Sequence, residues 1–147
     1  MVARREALAD LADGVVAMAR EIESGHRYES VVPLTLNERI ALRVIDRAGG
    51  IAPSELAELL GLQRSNLSTA LRGLEAKGLV TRESGHGDGR GVVVRSTAFA
   101  GENLERLRGN WADLLAEVAP PGADLEGAAE LLERMTRALI ERRRHQD

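Results

Sequence analysis

Residues 54–80 read SELAELLGLQRSNLSTALRGLEAKGLV, and this stretch decides the fold. Its leucines form two helical stripes, Leu56, Leu59 and Leu60 followed by Leu67, Leu71 and Leu74. Pro53 is suited to the first turn of the first helix, because a missing N–H costs nothing there. Gly61 separates the stripes and Gly78 ends the second. The pattern predicts two short helices joined by a glycine turn, the arrangement of a helix-turn-helix.

A hairpin follows the second helix. Val80–Glu83 is predicted to be a strand, residues 85–91 form a tip with glycine at every second position, and Val92–Arg95 is the returning strand. A phosphate-binding P-loop is a poor interpretation of these glycines, because a strand rather than a helix comes next and no Gly-Lys-Ser/Thr is present. We expect a flexible tip and a wing attached to the helix-turn-helix.

Helices are predicted on both sides of this core. A first helix carries an apolar stripe of Leu8, Leu11, Val15, Met18 and Ile22 and is broken at 24–26. Thr35 and Glu38 have the spacing of a capping box, which opens a helix that stops at Gly49–Gly50 and turns Ile40, Val44 and Ile45 inward. Two further striped helices, separated at 120–122, carry Leu104, Leu107, Trp111, Leu114 and Val118, and then Leu125, Ala128, Leu131 or Leu132, Met135 and Leu139.

Composition narrows the class of protein. At 147 residues the chain is predicted to be one domain with an aliphatic core, since 44% of residues are hydrophobic but only 2% aromatic. Few aromatic residues disfavour single-stranded nucleic acid, which binds by base stacking. The chain has no cysteine, and no apolar run is long enough to span a membrane or serve as a signal peptide. We therefore expect a cytoplasmic protein that does not contact a membrane.

Charge is distributed unevenly. The net charge is −3, yet residues 37–96 carry nine Arg or Lys against seven acids. A local excess of this size can attract phosphates on an acidic protein, because distant exposed charges are screened by salt. His26, His86 and His145 lack metal-ligand spacing, and no nucleophile elbow or Cys/His pair occurs. We expect no metal, no cofactor and no enzymatic activity.

These features resemble the MarR family of winged helix-turn-helix transcriptional regulators. The resemblance rests on residues 65–80, on Asp88-Gly89-Arg90 about ten residues on, and on Thr97, which stands seven residues after that arginine. Ser96 replaces the usual leucine, and the spacing to Gly101 is one residue longer, so the start of the fifth helix is left open. The resemblance implies a mainly α fold with a small β-hairpin. Residues 35–97 would form the DNA-binding region, and residues 1–34 and 98–147 a helical dimerisation region.

The resemblance also implies that the second helix of the motif enters the major groove of double-stranded DNA. Candidate contacts are amides suited to adenine, arginines suited to guanine or phosphate, and hydroxyls suited to either, namely Gln63, Arg64, Ser65, Asn66, Ser68, Thr69 and Arg72. Arg90 would enter the minor groove, where a planar cation suits narrow A·T-rich DNA, and Asp88 would orient it. The alternatives are that the polar residues of this helix form only a solvated face, and that Arg90 is only an arginine on the protein surface. Arg142–Arg144 are best explained by the dipole of their own helix, rather than as a tail that binds DNA.

The expected function is that of a homodimeric repressor that reads a pseudo-palindromic site. The resemblance implies release by a small aromatic or phenolic effector, for which His26, Tyr28, Arg43 and Trp111 are conceivable neighbours but no residue is assigned. An intramolecular helical bundle is the alternative to dimerisation. The rival function is a winged-helix module that binds protein and does not read DNA sequence.

Overall fold

The computed structural model describes residues 1–24, 31–84 and 91–145. The chain divides into two compact units, Met1–Ser30 and Val31–Asp147. The first unit contains helix α1 (Val2–Ser24), none of whose side chains is buried. The second contains α2 (Leu36–Ala48), α3 (Pro53–Leu60), α4 (Arg64–Ala76), β1 (Val80–Ser84), β2 (Val92–Ser96), α5 (Ala98–Ala116) and α6 (Leu125–Arg144). The predicted mainly α winged-helix fold is confirmed.

Helix α2 begins and ends as its sequence predicts. The Thr35 hydroxyl accepts a hydrogen bond from the Glu38 amide at 3.2 Å, and the Glu38 carboxylate accepts one from the Thr35 amide at 2.8 Å. This reciprocal pair satisfies two amides that have no partner within the helix. Gly49 ends the helix in the left-handed conformation, with φ of 65°. The prediction that Ile40 faces inward is wrong, because its side chain is 41% exposed and Ala41, Leu42 and Ile45 form the buried face.

Glu38 also connects α2 to the end of α4. Its buried carboxylate accepts a hydrogen bond from Lys77 Nζ at 2.6 Å and lies over Gly73, where any β-carbon would overlap it. Burial by itself raises the pKa of Glu38. The hydrogen bonds from Lys77 and Thr35 outweigh it, so the pKa lies below its ordinary value. A β-carbon at position 73 would therefore force the Glu38 carboxylate to shift, which explains a glycine at a position where it weakens the helix interior.

The hairpin is held against α2 and α3 by backbone pairing. Strands β1 and β2 are antiparallel, with Val80 opposite Ser96 and Ser84 opposite Val92. Ile51, between α2 and α3, exchanges two backbone hydrogen bonds with Val94, at 3.0 and 2.9 Å. Ile51 and Val94 are both buried, so this bridge joins β2 of the wing to the segment before α3 within the core.

One aliphatic core lies between α2, α3, α4 and the hairpin. Its largest fully buried side chains are Leu42, Ile45, Leu56, Leu71, Leu74, Leu79 and Val94. Leu59 and Leu60, predicted to be buried with Leu56, are only half-buried at its edge. Gly61 ends α3 with φ of 61°, and its amide donates to the carbonyls of the last turn of α3. This core therefore fixes the direction of α4 relative to the wing.

Helix α5 begins where the wing ends. The Thr97 hydroxyl caps it by accepting from the Ala100 amide at 3.1 Å, and donates to the Gly78 carbonyl at 2.8 Å. Ser96, at a position where leucine is usual, donates to Asp46 of α2 at 2.8 Å. The open question about the start of this helix is thereby answered. Val118, predicted to belong to its stripe, lies beyond the helix and is exposed.

Helix α6 is amphipathic, yet none of its side chains is buried. The Asp124 carboxylate caps it by accepting from the Gly127 amide at 2.8 Å. The largest apolar side chains that it exposes are Leu125, Leu131, Leu132 and Leu139. No helix within residues 1–24, 31–84 and 91–145 has both the length and the apolar character needed to cross a membrane.

Candidate nucleic-acid interface

Helix α4 has one buried face and one polar face. Leu67, Ala70, Leu71 and Leu74 are buried in the core. All seven residues predicted to meet the major groove are exposed on this helix or at its N-cap: Gln63, Arg64, Ser65, Asn66, Ser68, Thr69 and Arg72. The apolar spacing of α4 produces this separation, since positions three and four apart share a face. The structure brings the candidates together on one surface, and their contact with DNA remains a prediction.

Within the described part of the chain, the side-chain hydrogen bonds of this surface stay on α4. The Thr69 hydroxyl donates to the Ser65 carbonyl at 3.0 Å. Arg72 lies along the helix, with Nε 3.4 Å from the Ser68 carbonyl and Nη2 3.4 Å from Thr69 Oγ1. Gln63 is the N-cap, but its side chain makes no capping hydrogen bond. Bonds at the long end of the hydrogen-bonding range are weak, so Arg72 can exchange them for an external acceptor.

Arg82 of β1 joins this surface, although sequence reasoning did not select it. Together with Arg64 and Ser68 of α4 and Ser54 of α3, it lines a cavity of about 240 Å³. Its Nε is bonded to Glu75 at 2.9 Å, and both side chains are partly exposed. No local pattern connects Arg82 with Arg64, because they lie on different elements. The only signal available was the positive charge of the segment that contains both.

The wing is tied to α2 by its second strand. Arg95 of β2 pairs with Glu83 of β1 at 2.9 Å and also donates to the Gly49 carbonyl. Asp88 and Arg90, the residues predicted for the minor groove, lie at positions 85–90, outside the described residues.

The C-terminal arginines contact α3. Arg143 Nη2 donates to the Leu59 carbonyl at 2.6 Å, and Arg144 binds one Glu58 carboxylate oxygen through two nitrogens, at 2.8 and 3.1 Å. The interpretation through the dipole of their own helix is therefore incomplete. Arg143 lies at the carbonyl end of α3, where a cation is favourable for that helix.

Two of the conceivable effector neighbours line one cavity. Arg43 of α2 and Trp111 of α5 border a space of about 520 Å³, and the Arg39 guanidinium lies 5.6 Å from the centre of the Trp111 ring. His26 and Tyr28 lie outside the described residues. Among the residues that are described, no group of three or more His, Cys, Asp or Glu could hold a metal ion.

Solved structures similar to this chain include MarR-type transcriptional regulators. Residues 32–91 match the sequence model of the MarR family. FabT from Streptococcus pneumoniae, in complex with DNA, is 23% identical with 92% of each chain covered and a TM-score of 0.59. The transcriptional regulator SlyA is 21% identical, with 90% of this chain and 95% of SlyA covered and a TM-score of 0.65.

A mutant of MarR from E. coli, complexed with operator DNA, is 25% identical over 72% of this chain and 76% of MarR, with a TM-score of 0.56. No curated protein sequence matches the chain significantly. The matched segment contains α2, α3, α4 and β1, the elements that position the polar face of α4. Residues 32–91 therefore match the MarR family, and the chain has the winged-helix fold of the solved MarR-type regulators.

Proposed function

We propose that this protein is a homodimeric transcriptional regulator that binds a specific double-stranded DNA sequence through α4. The observation that carries the proposal is the polar face of α4, where seven side chains able to contact bases or phosphates are exposed together. A helix of this kind fits the major groove, where each base pair shows a distinct pattern of donors and acceptors. The DNA complexes of FabT and of MarR support the same use of the fold.

Arg64, at the start of α4, and Arg82, on the neighbouring strand β1, suit contacts with the DNA backbone. Arg64 and Arg82 line the same small cavity, and Ser54 and Ser68 add hydroxyl donors. Contacts of this type hold a protein in register on DNA, while contacts with base edges select the sequence. We therefore assign positioning to Arg82 and base reading to the exposed amides and hydroxyls of α4.

Dimerisation is proposed from the terminal helices. Neither α1 nor α6 has a buried side chain within its chain, although both carry apolar stripes. A lone helix with such a stripe is marginal in water and gains stability by packing. Two copies would present two recognition helices, which matches a pseudo-palindromic site with half-sites about one helical turn apart.

Repression and release by an effector complete the proposal. A repressor occludes its operator, and a ligand relieves this only if it binds the non-DNA-binding arrangement of the dimer more tightly. A small aromatic compound is the expected effector, in keeping with the space beside Trp111.

The decisive experiment is selection of bound duplexes from random DNA by the full-length protein, followed by gel shift at about 150 mM salt. We expect a two-fold-related consensus, bound at least about 10³-fold more tightly than unrelated DNA. A smaller ratio, with no consensus recovered, would contradict the proposal and support the protein-binding module.

Arg64→Ala provides the variant for this test. Loss of a bidentate contact with guanine costs about 1–3 kcal/mol and relaxes selection at one position, whereas loss of a phosphate contact weakens all sequences alike. Arg134→Ala, an exposed arginine of α6, is the matched control and should keep full affinity.

For the wing, Arg90→Ala is predicted to weaken binding chiefly to sites with A·T-rich flanks. Equal weakening on sites with G·C-rich flanks would indicate a phosphate contact instead.

A further inference from the structure

The last turn of α6 supplies a hydrogen bond to the end of α3. A helix leaves the carbonyls of its last turn without partners inside the helix. At the end of α3 the Glu58 carbonyl accepts from the Gly61 amide at 3.3 Å. The Leu59 carbonyl accepts instead from Arg143 Nη2 at 2.6 Å, across 84 positions of sequence. One acceptor at the turn of the helix-turn-helix therefore obtains its donor from α6.

Arg144 adds an ion pair beside this bond. Its Nε and Nη2 lie 3.1 and 2.8 Å from one oxygen of the Glu58 carboxylate. The two side chains are 43% and 60% exposed, so the pair on its own contributes little stability. It acts together with the bond to Leu59, so that two neighbouring guanidinium groups hold two successive residues of α3. We call these two contacts, Arg143 on Leu59 and Arg144 on Glu58, the C-terminal clamp.

The C-terminal clamp lies next to the start of the recognition helix. Helix α3 ends at Leu60, and Gln63 is already the N-cap of α4. Gln63, Arg64 and Ser65, the first of the candidate base-reading residues, therefore follow the end of α3 within five positions. A connection this short cannot absorb a large displacement, so a contact that holds the last turn of α3 also positions the first turn of α4.

The other partner of the clamp is the helix assigned to the proposed dimer interface. Helix α6 has 20 residues and is about 30 Å long. Its exposed leucines belong to that interface, whereas its last turn is bonded to α3 of the same chain. The clamp thus links the dimer interface to the recognition helix. In a dimer, two such links would determine how far apart the two recognition helices lie.

We propose that Arg143 and Arg144 are positioning residues for DNA reading, because the C-terminal clamp fixes the spacing of half-sites that the dimer accepts. This inference rests on the proposed homodimeric DNA-binding function and assigns its selectivity for spacing to two side chains that do not touch DNA. Both guanidinium groups are bonded to α3, whereas a DNA-binding tail would need them for phosphates.

The test compares the duplex selected by the full-length protein with versions that have two base pairs added or removed between the half-sites. Two base pairs turn one half-site by about 70° relative to the other, because DNA turns once in about 10.5 base pairs. We expect the unmodified protein to lose at least about 30-fold in affinity on each altered duplex, and Arg143→Gln/Arg144→Gln to lose less than about fivefold. Arg142→Gln, at the exposed neighbour in sequence, is the matched control and should behave like the unmodified protein.

Two outcomes would overturn the proposal. Equal spacing penalties in the double variant and the unmodified protein would show that the clamp does not set the spacing. Uniform weakening on all duplexes, including unrelated DNA, with a smaller dependence on salt, would instead place these arginines on phosphates.

Charge reversal distinguishes positioning from a mere loss of stability. Arg144→Glu places two carboxylates together and should reduce the spacing penalty. Glu58→Arg/Arg144→Glu exchanges the partners of the ion pair and should restore the penalty. A penalty that stays low in the exchanged variant would contradict the role of the pair. Should Arg143→Gln/Arg144→Gln not fold, these two variants carry the same comparison.

A measurement without DNA separates failure of the clamp from failure of the proposed function. The chain has no cysteine, so Ser65→Cys on α4 carries one nitroxide label per chain, and pulsed electron paramagnetic resonance gives the distance between the two recognition helices of a dimer. We expect Arg143→Gln/Arg144→Gln to widen this distance distribution at least about twofold. An unchanged width would refute the clamp even if DNA is read as proposed. A wider distribution in a protein that selects no consensus would support the clamp and contradict only DNA reading.

Discussion

The winged region and helix α6 use leucine in opposite ways. Leu74, on α4, is completely buried between the helices of the core, whereas Leu139, on α6, is 65% exposed. Burial of a leucine side chain contributes about 1.5–3 kcal/mol, so the leucines of the winged core stabilise it, whereas the exposed leucines of α6 add no such burial within this chain. Under the function proposed above, DNA reading and dimer assembly therefore belong to different parts of this chain.

The strongest test of this contrast is to make α6 polar. Leu125 and Leu139 are 62% and 65% exposed and lie on the same side of the helix. If they are buried in a dimer, Leu125→Asp/Leu139→Asp removes about 3–6 kcal/mol of apolar burial and raises the dimer Kd at least about 100-fold. Light scattering after gel filtration should then give the monomer mass. Leu36→Asp, at an exposed leucine of α2, is the control, and an unchanged dimer mass in the double variant would place the interface elsewhere.

The next test acts on the core. Leu74→Ala should lower the free energy of unfolding by about 2–5 kcal/mol, because the cavity that it leaves cannot fully collapse. Leu36→Ala removes the same atoms from a side chain that is 58% exposed and should change stability by less than about 0.5 kcal/mol. Chemical denaturation followed by circular dichroism measures both. Similar losses in the two variants would mean that the winged region does not rely on this core.

The smallest expected effect concerns the ion pair between Glu38 and Lys77 within the winged region. Glu38→Gln removes the ion pair with Lys77 and should cost about 1 kcal/mol at pH 7. Because the folded-state pKa of Glu38 is lowered, its contribution is complete above the unfolded pKa, roughly pH 4.3, and is lost as pH falls through the folded pKa. The variant should therefore lose less stability than the unmodified protein on acidification below about pH 5.

Glu83→Gln is the matched control for this pH dependence, since Glu83 is half exposed in its pair with Arg95 and such pairs contribute little. Denaturant midpoints measured from pH 7 to pH 3 give the comparison. Identical slopes for Glu38→Gln and the unmodified protein would show that Lys77 does not stabilise the carboxylate.

Features set by short segments could be predicted. The capping box at Thr35 and Glu38, the glycines that end α2 and α3, and the leucine stripe of α4 all depend on neighbours within a few residues. Ile40 shows where such reasoning stops. Its spacing predicts a buried position, yet its side chain is exposed and its neighbours Ala41 and Leu42 lie in the core instead. Which phase of a helix faces inward is decided by the elements that pack on it.

Contacts between distant segments could not be predicted. Arg143 meets Leu59, and Arg82 shares a cavity with Arg64, only because the fold brings separate elements together. The same holds for Arg43, Arg47 and Arg108, which line one cavity although they belong to two helices that are far apart in sequence. For the candidate interface, the polar face of α4 followed from periodicity, whereas its arginine neighbours required the structure.

The position of Arg143 gives Gly61 a second constraint. Gly61 already needs its left-handed backbone, and a β-carbon at this position would lie 2.6 Å from the Cζ of Arg143. The turn of the helix-turn-helix and the Arg143 side chain therefore occupy adjoining space, so an alanine at 61 would require the Arg143 guanidinium to move. Gly61 and the Leu59 carbonyl thus mark the place where the helix-turn-helix contacts the C-terminal helix, and this contact joins two regions whose leucines are buried to such different extents.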